Sequence, residues 1–205
     1  MKNIIVCFAA ASAFWFLMFS PWTSNLFNFW YLMIFATTTL IGLSVLFYKE
    51  NLKKLLKFEW KWLYIGIFSA LILYCVFFVG NLLANWIFSF ANHEIQSIYS
   101  TKEQSSKIFI GLALFFLIGP AEEIFWRGYA QNFLANKIGE NKGFLITTLI
   151  YSFVHIWAFN FMLLVAAMIC GLFWGWMFKK YKSLWPVIIS HSLWDTLIFV
   201  VIPIN

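Results

Sequence analysis

Charge is what this chain has least of. Asp, Glu, Lys and Arg make up 11% of its 205 residues, where a soluble domain carries roughly 25%. A water-facing surface cannot be built from so few ionic groups. The twelve Trp and twenty-six Phe would overfill one, and the mean hydropathy of +0.83 points the same way. Cysteine is scarce too. Cys7, Cys75 and Cys170 all fall inside apolar runs with no C-x-x-C among them, so they read as small buried hydrophobes rather than a redox or metal group. There is no internal repeat, no low-complexity tract and no linker marking a second domain. No nucleic-acid module accompanies the net charge of +6, and nucleic acid is not expected as a partner. The positive residues sit instead in short loops between apolar runs, where they orient a membrane protein.

What is present is a series of apolar runs of membrane-spanning length, which predicts an all-α polytopic transmembrane bundle with about seven spans. The first run, 4–20, reads either as a signal peptide or as a membrane helix; without an A-x-A cleavage pattern it is taken as a retained helix. The others are 26–48, 62–90, 108–135, 143–159, 161–178 and 184–204. Gly80, Asn81 and Asn85 are candidate breaks in the third. The segment 49–61 carries five lysines and is read as a topogenic cytoplasmic loop, with an amphipathic surface helix as the alternative. The polar stretch 91–107 is a loop, and its His93 a solvated histidine.

A cytoplasmic N-terminus places eleven lysines inside and only Lys102 and Lys107 outside, a strong positive-inside bias. Gly171 and Gly175 form G-x-x-x-G in the sixth span, a pattern for close helix packing. We divide the chain into N-terminal helices over 1–107 and a second set of helices over 108–205.

Ionisable groups at membrane depth cost about 2.5–3.5 kcal/mol each on insertion scales and so mark function. The run Pro120-Ala121-Glu122-Glu123-Ile124-Phe125-Trp126-Arg127 holds three of them. Glu123 and Arg127 are four apart, share a helix face and are expected to pair, with Arg127 at the periphery of the polar layer. Glu122 points about 100° away into an apolar setting, which suits a general base at neutral pH. Tyr151 and His155 repeat the i, i+4 spacing in the fifth span, and His191 and Asp195 in the seventh. Counted from the cytoplasmic helix ends, Glu123, His155 and His191 all lie at a depth of roughly 14–18 Å. Two histidines and three carboxylates at one depth imply a single shared site.

With those residues in place, the chain resembles the CPBP family of intramembrane proteases, also called the CAAX protease and bacteriocin-processing (Abi) family, which includes type II CAAX prenyl endopeptidases. Glu122, Glu123 and Arg127 match its E-E-x-x-x-R motif. His155 matches F-x-x-x-H, although Tyr151 stands at the usual Phe. His191 and Asp195 match H-x-x-x-N/D. The resemblance runs from about residue 108 to 204, and the first hundred residues add nothing to it.

It implies hydrolysis of a peptide bond in a membrane-anchored protein or peptide at the bilayer. Glu122 would activate water with help from His155. His191 and Asp195 would stabilise the oxyanion, and Glu123 with Arg127 would hold the helix. Because an ionised Asp cannot donate a hydrogen bond, we expect Asp195 to orient His191 and keep it protonated, with His191 as the donor. The family has been described both as glutamate-dependent and as metalloprotease. The metal-free mechanism is expected here, with a Zn²⁺ site on Glu122, His155 and His191 as the alternative. The short, lysine-oriented chain suggests a prokaryotic plasma membrane. Two other functions remain from the residues alone: a proton-coupled transporter relaying through Glu122, His155 and His191, and a non-catalytic immunity or partner-binding membrane protein.

Overall fold

The protein, described here over residues 1–204 of a computed structural model, is all-helical, with no strand among those residues. Eight helices occur in order: α1 Lys2–Phe19, α2 Phe29–Leu55, α3 Trp60–Ile87, α4 Ala91–Tyr99, α5 Lys107–Ile138, α6 Glu140–Phe153, α7 Phe161–Tyr181 and α8 Trp185–Val201. Five of them, α1, α2, α3, α5 and α7, are long and apolar enough to cross a membrane. The fifth and seventh expected spans are shorter. α6 has 14 residues, but a 3₁₀ turn, Val154–Ala158, extends it, and at 1.5 and 2.0 Å per residue the pair reaches about 31 Å. Apolar side chains cover much of the outer surface, from Tyr31 and Phe35 on α2 to Phe68 and Leu71 on α3, as a lipid-facing bundle requires.

Several boundaries differ from the sequence expectation. The lysine-rich segment is not a loop throughout: α2 continues helically to Leu55 past a kink at Tyr48, where the backbone leaves helical geometry. Gly80, Asn81 and Asn85 do not interrupt α3. The 91–107 stretch contains α4 and a 3₁₀ turn, Ser100–Gln104, while His93 is exposed as expected.

Hydrogen bonds at the two ends of the bundle sort the connections as the lysine count does. At one end the Leu184 N–H donates to the Leu55 carbonyl at 3.0 Å, Trp185 Nε1 to the Leu56 carbonyl at 2.9 Å, and Lys182 pairs with Glu140 at 2.5 Å. That lysine holds the exposed Glu140 carboxyl below its ordinary range. At the other end Asn28 Nδ2 donates to the Gln104 carbonyl at 2.7 Å, and Asn160 Nδ2 to the Glu94 carbonyl at 2.8 Å.

Two features of α5 shape the centre. Its backbone widens into π turns over Leu114–Ile118 and Ile124–Gln131, either side of the short α segment Gly119–Glu123. Pro120 has no N–H to give the ladder, and the Gly119 N–H reaches back five residues to the Leu114 carbonyl. Such π insertions recur at functional sites. Gly119 also lets α5 and α8 touch: a Cβ there would lie 2.7 Å from Ser192 Oγ and 3.0 Å from Ser192 Cα. The G-x-x-x-G pair packs α7 onto α6 as expected, Gly171 against Thr148 and Tyr151, Gly175 against Phe144.

Candidate active site

An apolar cavity of about 280 Å³ runs into the bundle, and Glu122, Tyr151, His155, His191 and Asp195 all face it. Helix α5, α6 with the 3₁₀ turn that follows it, and α8 thus bring these groups to one cavity, while Glu123, counted at the depth of the two histidines, is not among its lining residues. Glu122 is buried, with its carboxylate toward the cavity. Glu123 and Arg127 lie behind it. Arg127 is only 1% exposed, because its guanidinium is taken up by partners on three sides. Nη1 donates to Glu123 Oε1 at 2.9 Å, Nη2 to the Cys170 carbonyl at 3.4 Å, and the plane lies 4.8 Å from the Tyr151 ring.

His191 stands between two carboxylates. Its Nδ1 is 2.7 Å from Glu123 Oε1, and its Nε2 is 3.3 Å from Asp195 Oδ2. Carboxylate oxygens accept and do not donate, so a ring with a proton on each nitrogen satisfies both. Trp174 lies flat against it, ring centroids 3.8 Å apart, and is itself fixed by donation to Ser190 Oγ at 3.1 Å. The buried cluster of Glu123, Arg127, His191 and Asp195 therefore balances two negative charges with two positive ones. Burial of ions is tolerated when they are paired and hydrogen-bonded. Glu123 Oε2 is fully buried and has no hydrogen-bond partner.

His155 is held differently. Its Nδ1 lies 2.9 Å from the Tyr151 carbonyl, and its Nε2 accepts from Trp15 Nε1 at 3.0 Å. An acceptor at Nε2 puts the single proton on Nδ1, so the ring is neutral in this arrangement. Aromatic edges from Trp15, Phe19 and Tyr151 pack around it.

Sequence reasoning missed three things here. Trp15, 140 residues from His155, was one of twelve tryptophans in a largely apolar chain, and no local pattern marks which of them meets a polar partner. Trp174 was hidden the same way. The contact of Glu123 with His191 joins two helices, and helical spacing predicts only partners on the same one.

The Zn²⁺ alternative does not fit these residues. Both nitrogens of His155 and of His191 are engaged by protein groups, so a cation would have to displace the Trp15 N–H from His155 and a carboxylate from His191. Among the described residues no three His, Cys, Asp or Glu side chains converge as a ligand set.

Residues 104–197 match the family model of Rce1-like type II CAAX prenyl endopeptidases. The match includes every site residue named from the motifs and agrees with the resemblance to the CPBP proteases. It supports an intramembrane endopeptidase, membrane-embedded and acting on a protein or peptide. No curated protein and no solved structure matches the chain.

Proposed function

We propose that this protein hydrolyses a peptide bond of a membrane-anchored protein or peptide, with Glu122 as the base, without a metal, in a prokaryotic plasma membrane. The observation that carries the reading is the shared cavity: Glu122, His155, His191 and Asp195 reach it from three helices. Residues 108–205 form the catalytic core in this reading, and 1–107 supports it.

The chemistry is set by which atoms are already engaged. Glu123 is tied to Arg127 and His191, whereas Glu122 opens on the cavity, so Glu122 is the carboxylate free to take a proton. It removes one from a water, whose oxygen adds to the scissile carbonyl carbon. His155 steadies that water once Nε2 exchanges the Trp15 N–H for the water O–H. The carbonyl oxygen becomes an oxyanion beside His191. Nδ1 of that ring is anchored to Glu123 by the shorter contact, and the longer 3.3 Å approach to Asp195 leaves the Nε2 proton as the one to donate. Glu122 then passes its proton to the amide nitrogen as the C–N bond breaks, releasing an amine and a carboxylic acid, whose remaining proton is lost on ionisation. A preorganised donor aimed at developing charge in a water-poor site is an effective source of rate.

The proton-relay reading draws no support from this arrangement, since the groups gather around one cavity rather than forming a ladder across the bilayer. The test is hydrolysis in water enriched in oxygen-18, using reconstituted protein and a panel of single-span peptides. One heavy oxygen in a new carboxyl terminus, absent with Glu122→Gln, is the expected result. Peptides left intact by correctly inserted wild-type protein would contradict the reading.

A further inference from the structure

A reaction that consumes water inside an apolar cavity needs a route for that water, a requirement that rests on the hydrolytic function proposed for the site. A second cavity, of about 220 Å³, lies at the end of the bundle away from the lysine-rich connections. Its wall is polar, with Ser24, Asn25, Ser97, Ser100, Gln104 and Asn160 contributing hydroxyls and amides. Asn25, Ser100 and Gln104 are exposed, so the cavity opens at that end. It is roomy and polar enough to hold several waters.

The two cavities share a wall. Phe19, Phe29, Ile98, Thr101 and Leu163 line both, so the partition is one layer of side chains thick. Phe19 meets Phe29 edge to face at 5.3 Å, and on its other side lies 5.7 Å from the His155 ring. The frame around the partition is fastened by hydrogen bonds. The Phe29 N–H donates to Gln104 Oε1 at 2.6 Å, Trp30 Nε1 to the Thr101 carbonyl at 2.9 Å, and Asn160 Nδ2 to Ser97 Oγ at 3.1 Å. The Phe19 side chain, by contrast, is held by packing alone. Rotation of its ring would break no hydrogen bond, whereas moving the frame would.

We propose that this polar cavity is the entrance for the hydrolytic water, and that the rings of Phe19 and Phe29 are the partition the water passes to reach His155 and Glu122. Water then arrives from the end of the bundle where α1 ends and α4 lies.

The experiment plugs the entrance. Asn25→Cys, in a background with the exposed Cys75 replaced by Ala, is reconstituted in lipid nanodiscs and labelled with trimethylammonium-ethyl methanethiosulfonate. Glu103→Cys, on the neighbouring 3₁₀ turn but outside the cavity wall, serves as the labelled control. Two quantities are read: peptide turnover, and the rate at which the Trp15 indole N–H exchanges with deuterium, its resonance being the one lost in Trp15→Phe. The proposal predicts that labelled Asn25→Cys loses about tenfold in kcat, that reductant restores it, and that Trp15 exchange slows in parallel. Labelled Glu103→Cys keeps both within about twofold of the unlabelled protein. Unchanged turnover and unchanged exchange in labelled Asn25→Cys would overturn the water route while leaving the protease reading intact. If the unlabelled protein cuts nothing, the protease reading falls, and the exchange rate alone decides the route: slowing supports it and no change overturns it.

Discussion

The indole N–H of Trp15 donates to Nε2 of His155 across 3.0 Å of buried space. The bond joins the first helix, outside the segment that matches the protease family, to a motif histidine inside it. N-terminal helices whose sequence carries no family signal thus contribute directly to the wall of the site.

Trp15→Phe keeps an aromatic ring against Trp126 and His155 but removes the donor together with part of the buried indole volume, which adds a cavity cost. It leaves a buried acceptor unmatched, at a cost of about 1–3 kcal/mol. Chemical unfolding of the purified protein in detergent checks this. A variant as stable as wild type would mean the bond contributes nothing.

Arg127 is the positive partner of a carboxylate with no exposure. Arg127→Met leaves the buried Glu123 charge with His191 alone, and removing one member of a buried pair costs about 3–5 kcal/mol. The expected outcome is a sharply reduced unfolding midpoint, with secondary structure retained below it. A double variant, Glu123→Gln with Arg127→Met, removes both charges and regains part of the loss. Absence of any recovery would show that the arginine acts through its contacts with Tyr151 and the Cys170 carbonyl instead.

Asp195→Asn retains an acceptor oxygen at the position now 3.3 Å from His191 Nε2. If His191 is the oxyanion donor and Asp195 its orienting partner, kcat/KM stays within about tenfold of wild type. Abolished activity in a correctly folded variant would assign Asp195 a role the account does not give it.

With every imidazole nitrogen of His155 and His191 engaged by protein groups, a membrane-permeant zinc chelator is expected to leave turnover unchanged. Loss of turnover on chelation, restored by Zn²⁺, would require both rings to rearrange and would replace the metal-free mechanism.

Much of the frame was legible in sequence because two of its determinants are local. Apolar runs of spanning length define the long helices, and the lysine distribution sorts the connections by end. The pairs Glu123–Arg127 and His191–Asp195 were readable because a helix brings i and i+4 together. That Glu123, His155 and His191 lie near one another was readable from depth, since each span gives a ruler of 1.5 Å per residue.

What stayed hidden was rotation and long-range contact. Depth does not say which face of a helix turns inward, so the full enclosure of Arg127 is not legible from it. Hydropathy does not register the kink at Tyr48 or the π turns around Gly119–Glu123. Nor does it separate Trp15 and Trp174, which touch the two histidines, from exposed tryptophans such as Trp86 and Trp60.

The most direct test of the central claim compares wild type with Glu122→Gln in the native membrane, after both are shown to insert and accumulate equally, by mapping protein termini with mass spectrometry. The account predicts termini present with wild type that vanish with the variant, and those termini identify the substrate. An unchanged terminus map alongside an altered cellular phenotype would contradict proteolysis and return the protein to a transport or binding role.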